Sequence, residues 1–88
     1  MKPWTVLLAK SAKADLKKLK ASHLHHRFIE LCETLASDPF APSDRFEKLQ
    51  PRSEGYYSRR INHQHRMVYQ VDAEMRVVTI YATWSHYQ

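Results

Sequence analysis

Long apolar runs are the plainest thing this sequence lacks. None approaches the roughly 20 residues that a membrane span requires, and the N-terminus has no long apolar stretch of the secretory-signal type. A soluble, cytoplasmic protein that does not engage membranes is expected. Cysteine is almost absent as well. Cys32 is the single one, so no internal disulfide can form, which argues against a cystine-stapled secreted scaffold and for a reducing compartment. Its plain reading is a buried thiol on a helix. No cysteine–histidine spacing suggests zinc, and a chain of 88 residues leaves no room for a separate cofactor domain beside its own core. One domain over residues 1–88, with no cofactor and no metal, is the expectation. Glycine occurs once, at Gly55, where it predicts a turn that other residues would resist.

What is present is a globular composition with a basic surface. Hydrophobic residues make up 43% of the chain, too many for a disordered tail. The net charge is +5 and the pI about 9.6. A basic surface on so small a body raises the local concentration of polyanions, nucleic acid above all. Charge alone does not choose between RNA and DNA.

The patterning predicts a strand over Trp4–Ala9, followed by a helix from Ala12 to Lys20 with Ser11 as its cap. Ala12, Leu16 and Leu19 share one face of that helix, and Lys13, Lys17 and Lys20 another. Ser22 is placed as the cap of a second helix running to Ser37. Its stripe is Leu24, Phe28, Leu31 and Leu35, and the two helices form a hairpin across Ala21-Ser22. Pro39 and Pro42 stop it. Sheet follows. A short strand is expected over Phe46–Leu49 and another over Tyr56–Asn62. In the latter, Tyr57, Arg59 and Ile61 face one way and Tyr56, Ser58 and Arg60 the other. Arg66–Val71 alternates likewise, Asp72-Ala73-Glu74 makes a turn, and Met75–Trp84 is the last strand. Two helices before an antiparallel meander predict an α+β sandwich. Its open sheet face would carry Arg60 and Arg66 on adjacent strands, a credible phosphate site.

Three segments then carry a resemblance. Glu47-Lys48-Leu49, Gly55-Tyr56-Tyr57-Ser58-Arg59-Arg60-Ile61 and His65-Arg66-Met67-Val68-Tyr69, closed by His86-Tyr87, resemble the YoeB toxin family of the RelE/ParE superfamily. The motif match is specific and covers about the second half of the chain. The first half matches in its strand–helix–helix layout. The resemblance implies the RelE/YoeB-like fold and the activity of a ribosome-dependent endoribonuclease that cuts mRNA in the ribosomal A site. Metal-free cleavage by the 2′-OH has three tasks: removing its proton, offsetting the phosphorane charge and protonating the 5′ oxygen. By resemblance Glu47 is the general base, Arg66 the phosphate holder and His86 the general acid. Tyr87 positions His86 or stacks on a base.

Lys48, Arg59 and Arg60 are the expected further RNA contacts. Arg60, sharing its parity with Ser58, is favoured for the site itself. Arg59 is left to pack at the rim or pair with an acid. Lys13, Lys17 and Lys20 are the expected contacts to ribosomal RNA. The chain departs from the family at Gln50, where a lysine is frequent, and at Gln88, one residue beyond the usual terminal His-Tyr. The resemblance also implies a YefM-like antitoxin partner, homodimers, and operator DNA bound only as the toxin–antitoxin complex. Two other readings stay open: a ParE-like toxin of gyrase that cuts no RNA, and a nucleic-acid-binding module without catalysis. The other histidines carry little. His23, His25 and His26 do not share one helical face, and His63 and His65 lie together near a turn.

Overall fold

Leu24, Phe28, Leu31 and Leu35 are all buried, as their spacing along one helical stripe requires. The computed structural model that shows this describes residues 3–86. Its elements are β1 (Thr5–Leu8), α1 (Lys10–Lys20), α2 (His25–Ser37), β2 (Glu47–Lys48), a short 3-10 turn (Arg52–Glu54), β3 (Tyr56–Arg60), β4 (His65–Asp72) and β5 (Val77–His86). The five strands form one sheet in the order β1-β5-β4-β3-β2. Both helices supply its core cluster, where Ala12, Leu19, Leu31 and Leu35 pack with Met67, Tyr69, Val78 and Ile80. This is the expected α+β arrangement.

Within that frame the structure adds one strand pairing and corrects three local expectations. β1 runs parallel to β5, Thr5 opposite Val77 through Leu8 opposite Ile80. The remaining pairs form the antiparallel meander. Parallel pairing needs a long crossover, which the elements between β1 and β5 provide. Ser11 is not the cap of α1. The Ala9 N–H is held by the Ile80 carbonyl at 2.8 Å, so the helix starts directly at Lys10 with Ala9 at its N-cap. The Ser11 hydroxyl instead donates to the Tyr81 carbonyl at 2.7 Å, tying α1 to β5. Ser22 knits the interhelical turn, donating to the Leu19 carbonyl and accepting from the Leu24 N–H, and α2 begins at His25. Lastly, β5 starts at Val77 instead of Met75. The Asp72 carboxylate takes the Met75 N–H at 3.0 Å and Arg76 adopts a left-handed φ of 54°, which widens the turn.

Gly55 does sit in the left-handed region, at φ 74°. A Cβ there would meet nothing within 4 Å, so the backbone angle, not space, calls for glycine. On α1, Lys13, Lys17, Lys18 and Lys20 are exposed. Three of them, Lys17, Lys18 and Lys20, lie in its last turn, where positive charge stabilises the carbonyl end of a helix whatever else it binds. Among the described residues no helix is long and apolar enough to cross a membrane.

Candidate active site

The site is built on the sheet face that the helices leave uncovered. Register brings its parts together. Glu47 stands opposite Ser58, Ser58 opposite Val68 and Arg60 opposite Arg66. Paired residues project to the same face of a sheet, so Glu47, Ser58, Arg60 and Arg66 share one surface. Neighbouring strands lie ~4.8 Å apart, and Glu47 and Arg66 sit on strands with β3 between them. Their long side chains close that gap: Oε1 of Glu47 is 3.9 Å from Nη1 of Arg66. The buried Ser58 lies beneath and donates to Oε1 of Glu47 at 3.5 Å.

The pair is open to solvent in the way a substrate site needs. The Glu47 side chain is 54% exposed and that of Arg66 24%. An ion pair this exposed and this long contributes little to stability. What it supplies is an acceptor and a cation at one place on an accessible surface. Arg60 adds a second cation directly opposite Arg66. Like charges in facing positions weaken a sheet, and the same placement suits an anion with several oxygens, because guanidinium groups can each grip two.

β5 brings in the chain's last described residues. Between the Tyr69–Ile80 and Arg66–Ser85 pairs, five steps along β5 match three along β4. The strand therefore bulges. Its final pairs set Ser85 opposite Arg66 and His86 opposite His65. The backbone of His86 thus ends one position from the Arg66 pair. Tyr87, expected to assist it, lies outside the described residues, as does Gln88.

The other expected contacts divide by strand parity. Lys48 is next to Glu47 and so faces the opposite way, its ammonium 5.6 Å from the centre of the Tyr57 ring. Arg59 is not a surface residue at all. It is fully buried, with Nη1 donating to the Ser43 carbonyl at 2.8 Å and Nη2 to the Pro39 carbonyl at 3.0 Å. Its guanidinium lies 4.8 Å from the Phe46 ring centre, and Asp44 is 3.9 Å away. RNA contact by Arg59 has no place in this geometry, because its side chain is fully buried and donates to the Ser43 and Pro39 carbonyls. Lys13, Lys17 and Lys20 belong to the helix layer, across the sheet from Glu47 and Arg66.

Reading by residue type passes over what holds Glu47 in position. Arg27 of α2 donates to Asp44 at 2.7 Å and to the Ile61 carbonyl at 3.1 Å. Asp44, at a left-handed φ of 55°, is thus shared by Arg27 and Arg59. Tyr69 donates its hydroxyl to the Pro39 carbonyl at 2.7 Å. Burial pushes its phenol up to about 12, against the opposing pull of Arg59. Together these contacts fasten the loop between α2 and β2. The only hint in the sequence is an Asp between two prolines' loop and a strand, which says nothing about its partners. Cys32 is half-buried, and burial pushes its thiol up to about 11, consistent with an inert packing group.

Relatives of known family place this geometry. Residues 10–87 match the profile of a family described as the YoeB-like toxin of bacterial type II toxin–antitoxin systems. The Toxin YoeB of Synechocystis sp. (strain ATCC 27184 / PCC 6803 / Kazusa) is 36% identical over 66 residues, which are 74% of this chain and 70% of that protein. The fold is similar to that of the YoeB dimer from Staphylococcus aureus, with a TM-score of 0.81 and 30% identity over 97% of this chain and 99% of that one. It is similar also to the toxin in the heterotetrameric YoeB–YefM complex from the same organism. There the TM-score is 0.77 and the identity 30%, over 96% and 98% of the two chains. The chain belongs to the family of YoeB-like toxins of bacterial type II toxin–antitoxin systems.

Proposed function

We propose that the chain is a ribosome-dependent mRNA endoribonuclease that inhibits translation by cutting mRNA in the A site. The observation that carries this reading is the Glu47–Arg66 pair, an acceptor and a cation 3.9 Å apart on an exposed sheet face. In the proposed step the Glu47 carboxylate takes the proton from a 2′-OH. The freed oxygen attacks the adjacent phosphorus and forms a 2′,3′-cyclic phosphate. Arg66, with Arg60 beside it, offsets the charge that grows on the equatorial oxygens. The P–O5′ bond breaks as His86 donates a proton to the leaving oxygen, a task suited to imidazole near neutral pH. Tyr87 assists by orienting His86 or by stacking on a base.

The lysines of α1 lie away from this groove, where they would engage ribosomal RNA while the open face holds mRNA. Lys48, at the rim, adds to the attraction for phosphate. A YefM-like antitoxin is the proposed partner, its acidic segment neutralising the basic face. The homodimer is the proposed free state, and operator DNA would be met only through the toxin–antitoxin complex. All of this would take place in the cytoplasm, with residues 1–88 acting as one domain.

A gyrase-directed toxin would need no acceptor–cation pair at an open surface, which is why that reading ranks second. The test is cleavage of a defined mRNA with and without programmed ribosomes, with the product ends identified. The expected result is ribosome-stimulated cutting in the A-site codon, leaving a 2′,3′-cyclic phosphate and a 5′-OH. Absence of cutting under both conditions, or 5′-phosphate products, would overturn the proposal.

A further inference from the structure

The proposed acid, His86, is near the end of a strand that bulges just before it, and such an end frays unless something holds it. Two contacts from different elements meet at that bulge. The first comes from α1. Oδ2 of Asp15 accepts the backbone N–H groups of Thr83 at 3.1 Å and Trp84 at 3.4 Å. A bulge leaves strand N–H groups without ladder partners, and here one carboxylate takes two of them. The second comes from β4. The His65 ring stacks on Trp84 with centroids 4.0 Å apart and planes 25° from parallel. His65 is 97% buried by exposure, at 3% relative accessibility, and its own N–H is held by Oδ1 of Asn62 at 2.7 Å. His65 is also the ladder partner of His86.

Asp15 lies in the middle of α1, where aspartate is a poor helix former relative to alanine. Its carboxylate is aimed at β5, two to three residues before His86.

We propose that Asp15 is a positioning residue for the cleavage step: with the His65–Trp84 stack it clamps the bulge of β5 and fixes the backbone at His86, one position beyond the Ser85–Arg66 pair. This rests on the ribonuclease reading given above. It also ties the catalytic end of β5 to α1, the helix proposed to touch the ribosome. Displacing a reacting group by about 1 Å can lower a rate by roughly a hundredfold, so a loosened clamp has a large lever on turnover and a small one on binding.

The experiment compares full-length wild type with Asp15→Ala, Asp15→Asn and Trp84→Ala in two measurements: mRNA cleavage on programmed ribosomes, and amide exchange at Ser85 and His86. Alanine favours the helix, so a loss in Asp15→Ala does not come from unfolding α1. Asparagine keeps an oxygen that can accept both N–H groups. In Asp15→Ala, kcat is expected to fall roughly tenfold or more while KM stays within about twofold. Asp15→Asn should recover most of the rate, and Trp84→Ala should resemble Asp15→Ala. Exchange at Ser85 and His86 should quicken in Asp15→Ala, with Val78 and Ile80 still protected.

Unchanged exchange at those two amides in Asp15→Ala would overturn the clamp, and so would faster exchange with an unchanged kcat. Equal loss of rate in the asparagine and alanine variants would overturn the role given to the carboxylate oxygen. If wild type itself makes no ribosome-stimulated cut, the ribonuclease reading fails, and the exchange measurement alone then decides on the clamp.

Discussion

Arg59 and Arg60 are neighbours in the sequence with identical side chains, and they meet opposite fates. Arg59 faces the helices, is fully buried and spends its donors on the Pro39 and Ser43 carbonyls. Arg60 faces the open groove and stands opposite Arg66. One residue of strand separates a buried structural cation from one on the open face. The difference is set by the period of two in a strand, and by which sheet face the helices cover. It teaches that a run of arginines counts for nothing as a nucleic-acid signature until parity is assigned.

Substitutions can break that comparison or sharpen it. The largest effects are expected on the open face. Glu47→Ala or Arg66→Ala should lower ribosome-dependent cleavage by roughly 10²–10⁴-fold. Their urea midpoints should stay close to that of wild type, since a solvated pair adds little. Arg59→Ala reverses the pattern. It strands Asp44 beside Arg27 alone and leaves a void against Phe46, so it should destabilise the fold by about 3 kcal/mol, read from denaturant unfolding. Any cleavage lost should then track the unfolded fraction. Tyr69→Phe removes one buried hydrogen bond, to the Pro39 carbonyl, and should destabilise by about 1 kcal/mol. Lys48→Ala, on the wrong strand face for the groove, should change cleavage least, by less than about threefold.

The closed face has a pH signature of its own. Burial raises the Cys32 thiol from its ordinary 9.0 to about 11 and the Tyr69 phenol from 10.0 to about 12. Each favours its neutral form more in the folded state than in the unfolded one. That stabilisation is fully present below the unfolded values and is lost as pH rises through the raised ones. The urea midpoint should therefore fall between about pH 9 and 12, and Cys32→Ala with Tyr69→Phe should flatten that fall. A fall of the same size in the double variant would show that these groups are not its source.

Much of the frame was legible because it depends on periodicity. The Leu24–Leu35 stripe is read correctly from spacing alone, and so are the alternations in β3 and β4. Gly55 marks its turn because only the backbone angle matters there. What escaped depends on partners far apart in sequence. Hydroxyls suit helix caps, yet Ser11 bonds to Tyr81 and Ser22 closes a turn. The parallel pairing of β1 follows from topology, which no local pattern records. For the site, the E-x-L and H-R motifs pointed to Glu47 and Arg66, and the sheet register brings them together. Asp44, Arg27 and Asp15 carry no local signal, because each is an ordinary surface residue type whose role lies in contacts made 15 to 69 residues away in the chain.

The most direct test of the account is a paired measurement on Arg59→Ala, Arg60→Ala and Arg66→Ala: single-turnover cleavage on programmed ribosomes, and unfolding in urea. The account predicts that Arg66→Ala and Arg60→Ala lose rate and keep stability, while Arg59→Ala loses stability and, once folded, keeps rate. An Arg66→Ala protein that cuts mRNA as fast as wild type would contradict it, because the open face would then not be the place where the chemistry occurs.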